Sequence, residues 1–189
     1  MTFPKPVGTA RLTLTIHSEL ATLPGSFRAK GVHECSFRIA FPRAVLSRLQ
    51  FLRSAGLLSD RPVRVGDTSV VPRDLLLTLL RSQPPGEGPR LDAQYEILRA
   101  TVRGTRKGRS IQETVDCHTT AMTAWNIGTD INTGSPPSIV MQMLASGDIT
   151  ARGVLPPERA VPVEPFLRDL GTRGMTIRRS VHPWKNPRH

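Results

Sequence analysis

The chain has 189 residues, the size of one domain or one domain with a docking tail, and long enough to bury a core without disulfides or metals. Its 26 Lys and Arg against 15 Asp and Glu give a formal net charge of +11, and 38% hydrophobic residues with 17 prolines and 15 glycines make a globular, loop-rich composition. Two cysteines are no disulfide framework, no apolar run reaches the roughly 18 residues of a membrane span, and the N-terminus carries no apolar signal core, so a cytoplasmic protein is expected, with no membrane partner.

Residues 10–16 alternate polar with apolar types and are rich in β-branched side chains, which predicts a strand. Pro24-Gly25 marks a turn, and residues 32–39 alternate again as a second strand. Pro42 opens a helix with Val45, Leu46, Leu49 and Leu52 on one stripe, stopped by Gly56. Residues 62–71 form a hairpin around Gly66-Asp67, and residues from Pro72 form a second helix with Leu75, Leu76, Leu79 and Leu80 as a buried stripe. A breaker-dense loop fills 82–89. Residues 93–103 and 109–119 pair as a long hairpin with Lys107-Gly108 at its tip; Ile97, Ala100, Val102, Ile111, Val115 and Cys117 are its expected core positions. Helices are predicted over 136–146 and 163–170, and a last strand over 175–178. Strands and helices in this mixed order predict an α+β fold, with a mostly antiparallel mixed sheet covered on one face by helices. The expected organisation is an α+β domain over 8–132, an extension over 133–180 that packs on it or on another domain, and a flexible basic tail over 181–189.

Two segments resemble a known family. The first is His17-Ser18-Glu19-Leu20-Ala21-Thr22-Leu23-Pro24, followed by Lys30-Gly31-Val32. The second is Thr133-Gly134-Ser135-Pro136-Pro137-Ser138-Ile139-Val140-Met141-Gln142-Met143-Leu144, then Gly147-Asp148-Ile149 and Gly153-Val154-Leu155-Pro156-Pro157-Glu158. In this order they are similar to the C-terminal region of saccharopine dehydrogenase-like proteins, including lysine 6-dehydrogenases and carboxynorspermidine synthases. The resemblance extends loosely over about residues 8–175. It implies a substrate-binding domain like the C-terminal part of glyceraldehyde-phosphate dehydrogenase. Its partner would be a Rossmann domain that holds NAD or NADP, and the reaction would be hydride transfer at a carbon bearing an amine.

No Gly-x-Gly-x-x-Gly after a strand is present. The expectation is therefore a chain that binds no dinucleotide by itself and is inactive alone, the cofactor coming from a missing Rossmann domain or a separate nucleotide-binding chain. The substrate implied is lysine or saccharopine, and a homodimer is plausible by the fold. The resemblance implies that His17 and Glu19 lie in the substrate cleft, where an imidazole and a carboxylate suit proton transfer beside an amine. Thr22, Arg28 and Lys30 would bind substrate, arginine being the better fork for an α-carboxylate. Thr133 and Gly134, at a helix start, would face the cofactor. The structural alternatives stay open: a turn cap at Glu19 and Thr22, an exposed His17, two solvated charges at Arg28 and Lys30, and ordinary capping at Thr133. Cys117-His118 reads as a buried strand cysteine beside a residue on the opposite face, and no metal site is expected.

A rival reading is a non-catalytic basic module for nucleic acid or an acidic protein. The clusters at 103–109 and 178–189 favour it; scattered arginines and few aromatics weigh against nucleic acid.

Overall fold

The computed structural model describes residues 1–84 and 90–185. Part of the loop expected at 82–89, and residues 186–189 of the expected tail, lie outside the described residues. The fold is α+β with antiparallel pairing in each of three sheets. No parallel sheet occurs, and no helix is long and apolar enough to cross a membrane, among the described residues. The chain divides into two compact units, one of residues 1–10, 16–36 and 89–189, the other of residues 11–15 and 37–88.

In the smaller unit, β1 (Thr13–Thr15) pairs with β2 (Phe37–Ile39), so the second strand is shorter than the alternation suggested. Helix α2 (Arg43–Ser54) follows Pro42, whose extended backbone starts the helix. The hairpin of β3 (Val63–Val65) and β4 (Thr68–Val70) turns at Gly66, where φ is +60°. Helix α3 (Pro72–Ser82) begins on its proline, which gives up no needed N–H there. The leucine stripe of α3 is helical as expected but not buried: Leu75, Leu79 and Leu80 are exposed, and only Leu76 is half-buried. Two-stranded sheets offer too little surface to cover such a stripe.

The larger unit is built on a three-stranded sheet, β5 (Tyr95–Arg106), β6 (Arg109–Thr120) and β7 (Thr176–Pro183), with β6 in the centre. The expected hairpin is present with Lys107 and Gly108 at its tip. Both have positive φ, +51° and +74°, which gives the two-residue turn the twist that paired strands require. β7 outruns the strand expected over 175–178; residues 181–183, assigned above to a tail, pair with β6. The unit also holds α1 (Glu19–Ser26), α4 (Ile131–Ser146), α5 (Pro157–Ala160) and α6 (Val163–Thr172). Helix α1 replaces the turn expected at Pro24-Gly25. The proline falls in its last turn, and Phe27 N still donates to Leu23 O at 3.0 Å, closing the helix past it.

The core is where α4 and α6 lie on the sheet: Ile139, Met143, Ile149, Leu170 and Met175, with Cys117 and Ile177 reaching it from β6 and β7. Strand alternation puts Cys117 on the helix side and Asp116 and His118 on the other. The core positions expected along the hairpin are a partial correction. Ile97, Ile111, Val115 and Cys117 are half-buried, but Ala100 is exposed and Val102 is 68% exposed. Those two lie where the hairpin runs on past its buried stretch. Ile139 is 0% exposed, so Ile139→Ala should cost about 2–5 kcal/mol of unfolding free energy, read by chemical denaturation; Val102→Ala should cost far less.

Candidate functional site

Helix α1 separates the candidate residues into two groups. At its start, the His17 ring and the Glu19 carboxylate are hydrogen-bonded through Nδ1 and Oε2, and the Ser18 hydroxyl donates to the same Oε2 at 3.2 Å. Both groups are substantially exposed, so the pair is open to a ligand. At its end, a 3-10 turn (Arg28–Lys30) carries the two candidate cations and closes on Gly31, where φ is +75°. Lys30 Nζ lies 5.2 Å from the centre of the Phe27 ring, a cation–π distance. Eight helical residues span about 12 Å at 1.5 Å per residue. The acid–base pair and the cations thus stand at opposite ends of this helix.

The end of α1 is tied to the late Gly-Val-Leu-Pro-Pro-Glu segment. Ser26 Oγ donates to Glu158 Oε1 at 2.7 Å, joining residues 132 positions apart. The Ser26 hydroxyl is the largest influence on Glu158 and holds its carboxyl below the ordinary glutamate range; partial desolvation opposes it, and the Glu158 N–H, the Thr22 hydroxyl and Arg159 add to the lowering. Thr22, on α1 with Ser26, thus lies beside this carboxylate. The structure brings His17, Glu19, Thr22, Arg28 and Lys30 onto one short stretch of backbone, with Glu158 anchoring it. Glu158 was part of the recognised motif, but nothing in its spacing pointed to Ser26.

Thr133 and Gly134 stand on a different element. Helix α4 begins at Ile131 rather than near Pro136, so both residues lie inside its first turns and not ahead of them. Thr133 N donates to Asp130 O at 2.8 Å. A Cβ built on Gly134 would meet nothing within 4 Å, so none of this chain's own atoms requires glycine there. Among the described residues, no hydrogen bond or ion pair joins Thr133 or Gly134 to the α1 group. The glycine with a steric reason is Gly128, whose added Cβ would collide with the Gln94 side chain. Gln94 Oε1 accepts from Thr129 N at 3.0 Å and so fixes the approach to α4.

Buried polar groups line both sides of β6. On the helix side, Thr119 Oγ1 donates to Asn132 Oδ1 at 2.5 Å, and Asn132 Nδ2 donates to Glu96 Oε2 at 2.6 Å. On the other side, Arg99 makes a two-pronged ion pair with Asp116, both bonds 2.6 Å, and Tyr95 Oη lies 2.7 Å from His118 Nδ1. Burial raises the Cys117 thiol above its usual value, against the lowering effect of a bond to Thr119, so this cysteine is not an activated nucleophile. Cys117 and His118 occupy opposite faces, as alternation requires. No group of three or more potential metal ligands is assembled among the described residues.

The sequence model of a family described as the saccharopine dehydrogenase C-terminal domain matches residues 1–175, nearly the whole chain. The α+β architecture of this chain, with antiparallel sheets and helices on one face, is consistent with that family.

Two measurements check the site. A folded-state pKa held low stabilises above the unfolded value and loses that contribution as pH falls through the folded one. The α1–α5 contact should therefore loosen only below the ordinary glutamate range. Ser26→Ala should move the Glu158 carboxyl titration, followed by carbon-detected NMR, upward toward that range. Cys117 should react with a thiol reagent at neutral pH much more slowly than an unhindered cysteine, and speed up only on unfolding.

Proposed function

Since this chain belongs to the family of saccharopine dehydrogenase C-terminal domains, we propose that it is the substrate-orienting part of an NAD(P)-dependent amino-acid oxidoreductase. The observation that carries the reading is the Ser26–Glu158 bond. It locks the early motif against the late one and gives α1 a fixed place from which to present its two ends.

The roles follow from charge and length. Glu19, with His17 bonded to it, attracts a substrate ammonium and takes or returns a proton at the reacting nitrogen. Arg28, with Lys30, holds a carboxylate; a guanidinium does this with two parallel hydrogen bonds. Groups placed at the two ends of α1 suit an elongated amino acid such as lysine or saccharopine better than a short one. Thr22 acts through Glu158, keeping the helix in place.

The residues present do not fit a dinucleotide cradle. The sequence has no Gly-x-Gly-x-x-Gly turn, and the described sheets have no parallel strand pair leading into a helix. What they offer a cofactor is an edge: the first turns of α4, with partial positive charge and open space over Gly134. The nicotinamide, which carries the hydride, would be held by a Rossmann domain, with this chain supplying position and proton handling.

The test is an assay of lysine- and saccharopine-dependent reduction of NAD(P) by this chain together with a dinucleotide-binding domain of the same family. Arg28→Ala should raise KM about tenfold to a hundredfold with little change in kcat, the loss of one charge-assisted contact. Glu19→Gln should lower kcat by about a hundredfold or more. Absence of turnover with lysine, saccharopine and carboxynorspermidine, joined to absence of heat on titrating each into the assembled protein, would rule the reading out.

A further inference from the structure

The β5–β6 hairpin and β7 extend past the helices as a bare, basic sheet. Every residue from 100 to 110 is exposed. Between positions 99 and 116, and again between 178 and 185, stand eight Lys and Arg against two carboxylates. Both carboxylates are already neutralised. Asp116 is held by Arg99, and Glu113 accepts from Arg179 at 2.5 Å and from Arg106 at 3.4 Å. Arg103, Lys107, Arg109, Arg178 and Lys185 make no ion pair among the described residues.

The register makes this a surface and not a scatter. Gln112 stands between Arg103 and His182, and Asp116 between Arg99 and Arg178, so by alternation Arg99, Arg103, Arg178 and His182 share the face opposite α4 and α6. Trp184 closes the same face. Its N–H donates to Ser110 O at 3.1 Å, which continues the pairing one step past β7. The Arg103 guanidinium, oriented by a 2.8 Å bond to Gln112 Oε1, lies 5.5 Å from the Trp184 ring centre.

We infer that this face is a second binding surface, for single-stranded nucleic acid. Arg99 is already taken by Asp116, Thr2 O and the Phe3 ring, but Arg103 and Arg178 have no carboxylate partner among the described residues and match successive phosphates, which arginine grips with two bonds at once. An indole with an arginine beside it is a platform on which an unpaired base stacks, and flat strand surfaces hold extended strands in this way. A second copy of this chain would meet the face with the same sign of charge. An acidic protein would satisfy the charge but leave the indole without a role.

The test uses the full chain carrying Trp125→Phe, which leaves Trp184 as the sole tryptophan. It is titrated with oligothymidylate, oligouridylate and polyglutamate of equal length. Both oligonucleotides should quench Trp184 emission, and affinity should fall as salt rises, with a log–log slope of about −0.7 per phosphate engaged. A preference between the two identifies DNA or RNA as the better source of the same chemistry. Arg103→Gln with Arg178→Gln should weaken binding about tenfold or more and flatten the slope by about one unit or more. Arg53→Gln with Arg81→Gln, on α2 and α3, should leave both unchanged. Trp184→Leu, with its fold checked by circular dichroism, should weaken the oligonucleotides and leave polyglutamate as it was. Three results would overturn the inference: no oligonucleotide binding at low salt, equal losses from the two arginine pairs, or polyglutamate binding as tightly as the oligonucleotides with Trp184→Leu affecting neither.

Discussion

Strand β6 is buried on both faces, and most of what it buries is polar. Thr114, Asp116, His118 and Thr119 are each at most 8% exposed. A polar group taken out of water without a partner costs about 1–3 kcal/mol, so each of these dictates a neighbour. Asp116 requires Arg99 beside it on β5. Thr119 requires Asn132, which in turn draws Glu96 and sets the start of α4 against the sheet. His118 takes Tyr95 at one nitrogen and has no partner at the other among the described residues. The apolar cluster of α4 and α6 gives the unit its stability, but the polar pairs along β6 decide its register and where α4 begins.

From that frame the division of labour follows. The sheet and α4 form a rigid base, while the residues that suit an amine and a carboxylate sit on α1 and the turn after it, outside the apolar core. Helix α1 is tied to α5 by the Ser26–Glu158 hydrogen bond and has no fully buried residue. Small shifts of α1 would therefore move these side chains without disturbing the base.

Local chemistry was readable in the sequence; long-range partnership was not. Lys107-Gly108 announced the hairpin because few residue pairs accept two positive φ angles, and the leucine spacing of α2 and α3 announced helices. The same spacing could not say what covers the stripe, so Leu75, Leu79 and Leu80 were expected to be buried and are not. Helix α1 was hidden by Pro24, a breaker that happens to fall in its last turn. The length of β7 was hidden because its arginines and His182 carry no apolar alternation; pairing with β6 holds it as a strand. At the site, the nearness of the motif residues in sequence was legible, but the helix that carries them was not. The start of α4 was misplaced because a double proline at 136 and 137 reads as a helix start, whereas the helix begins at Ile131 and carries both inside it. The pairs Arg99 with Asp116 and Ser26 with Glu158 leave no trace in spacing.

The last of these pairs carries a consequence for how the protein comes into being. The residues it joins are separated by 132 positions, so nearly the whole polypeptide must be synthesised before α1 can dock. The hairpin, whose strands adjoin in sequence, can form early and alone. A ribosome that stalls before Glu158 therefore releases the β5–β6 hairpin without α6 or β7, and with α1 undocked.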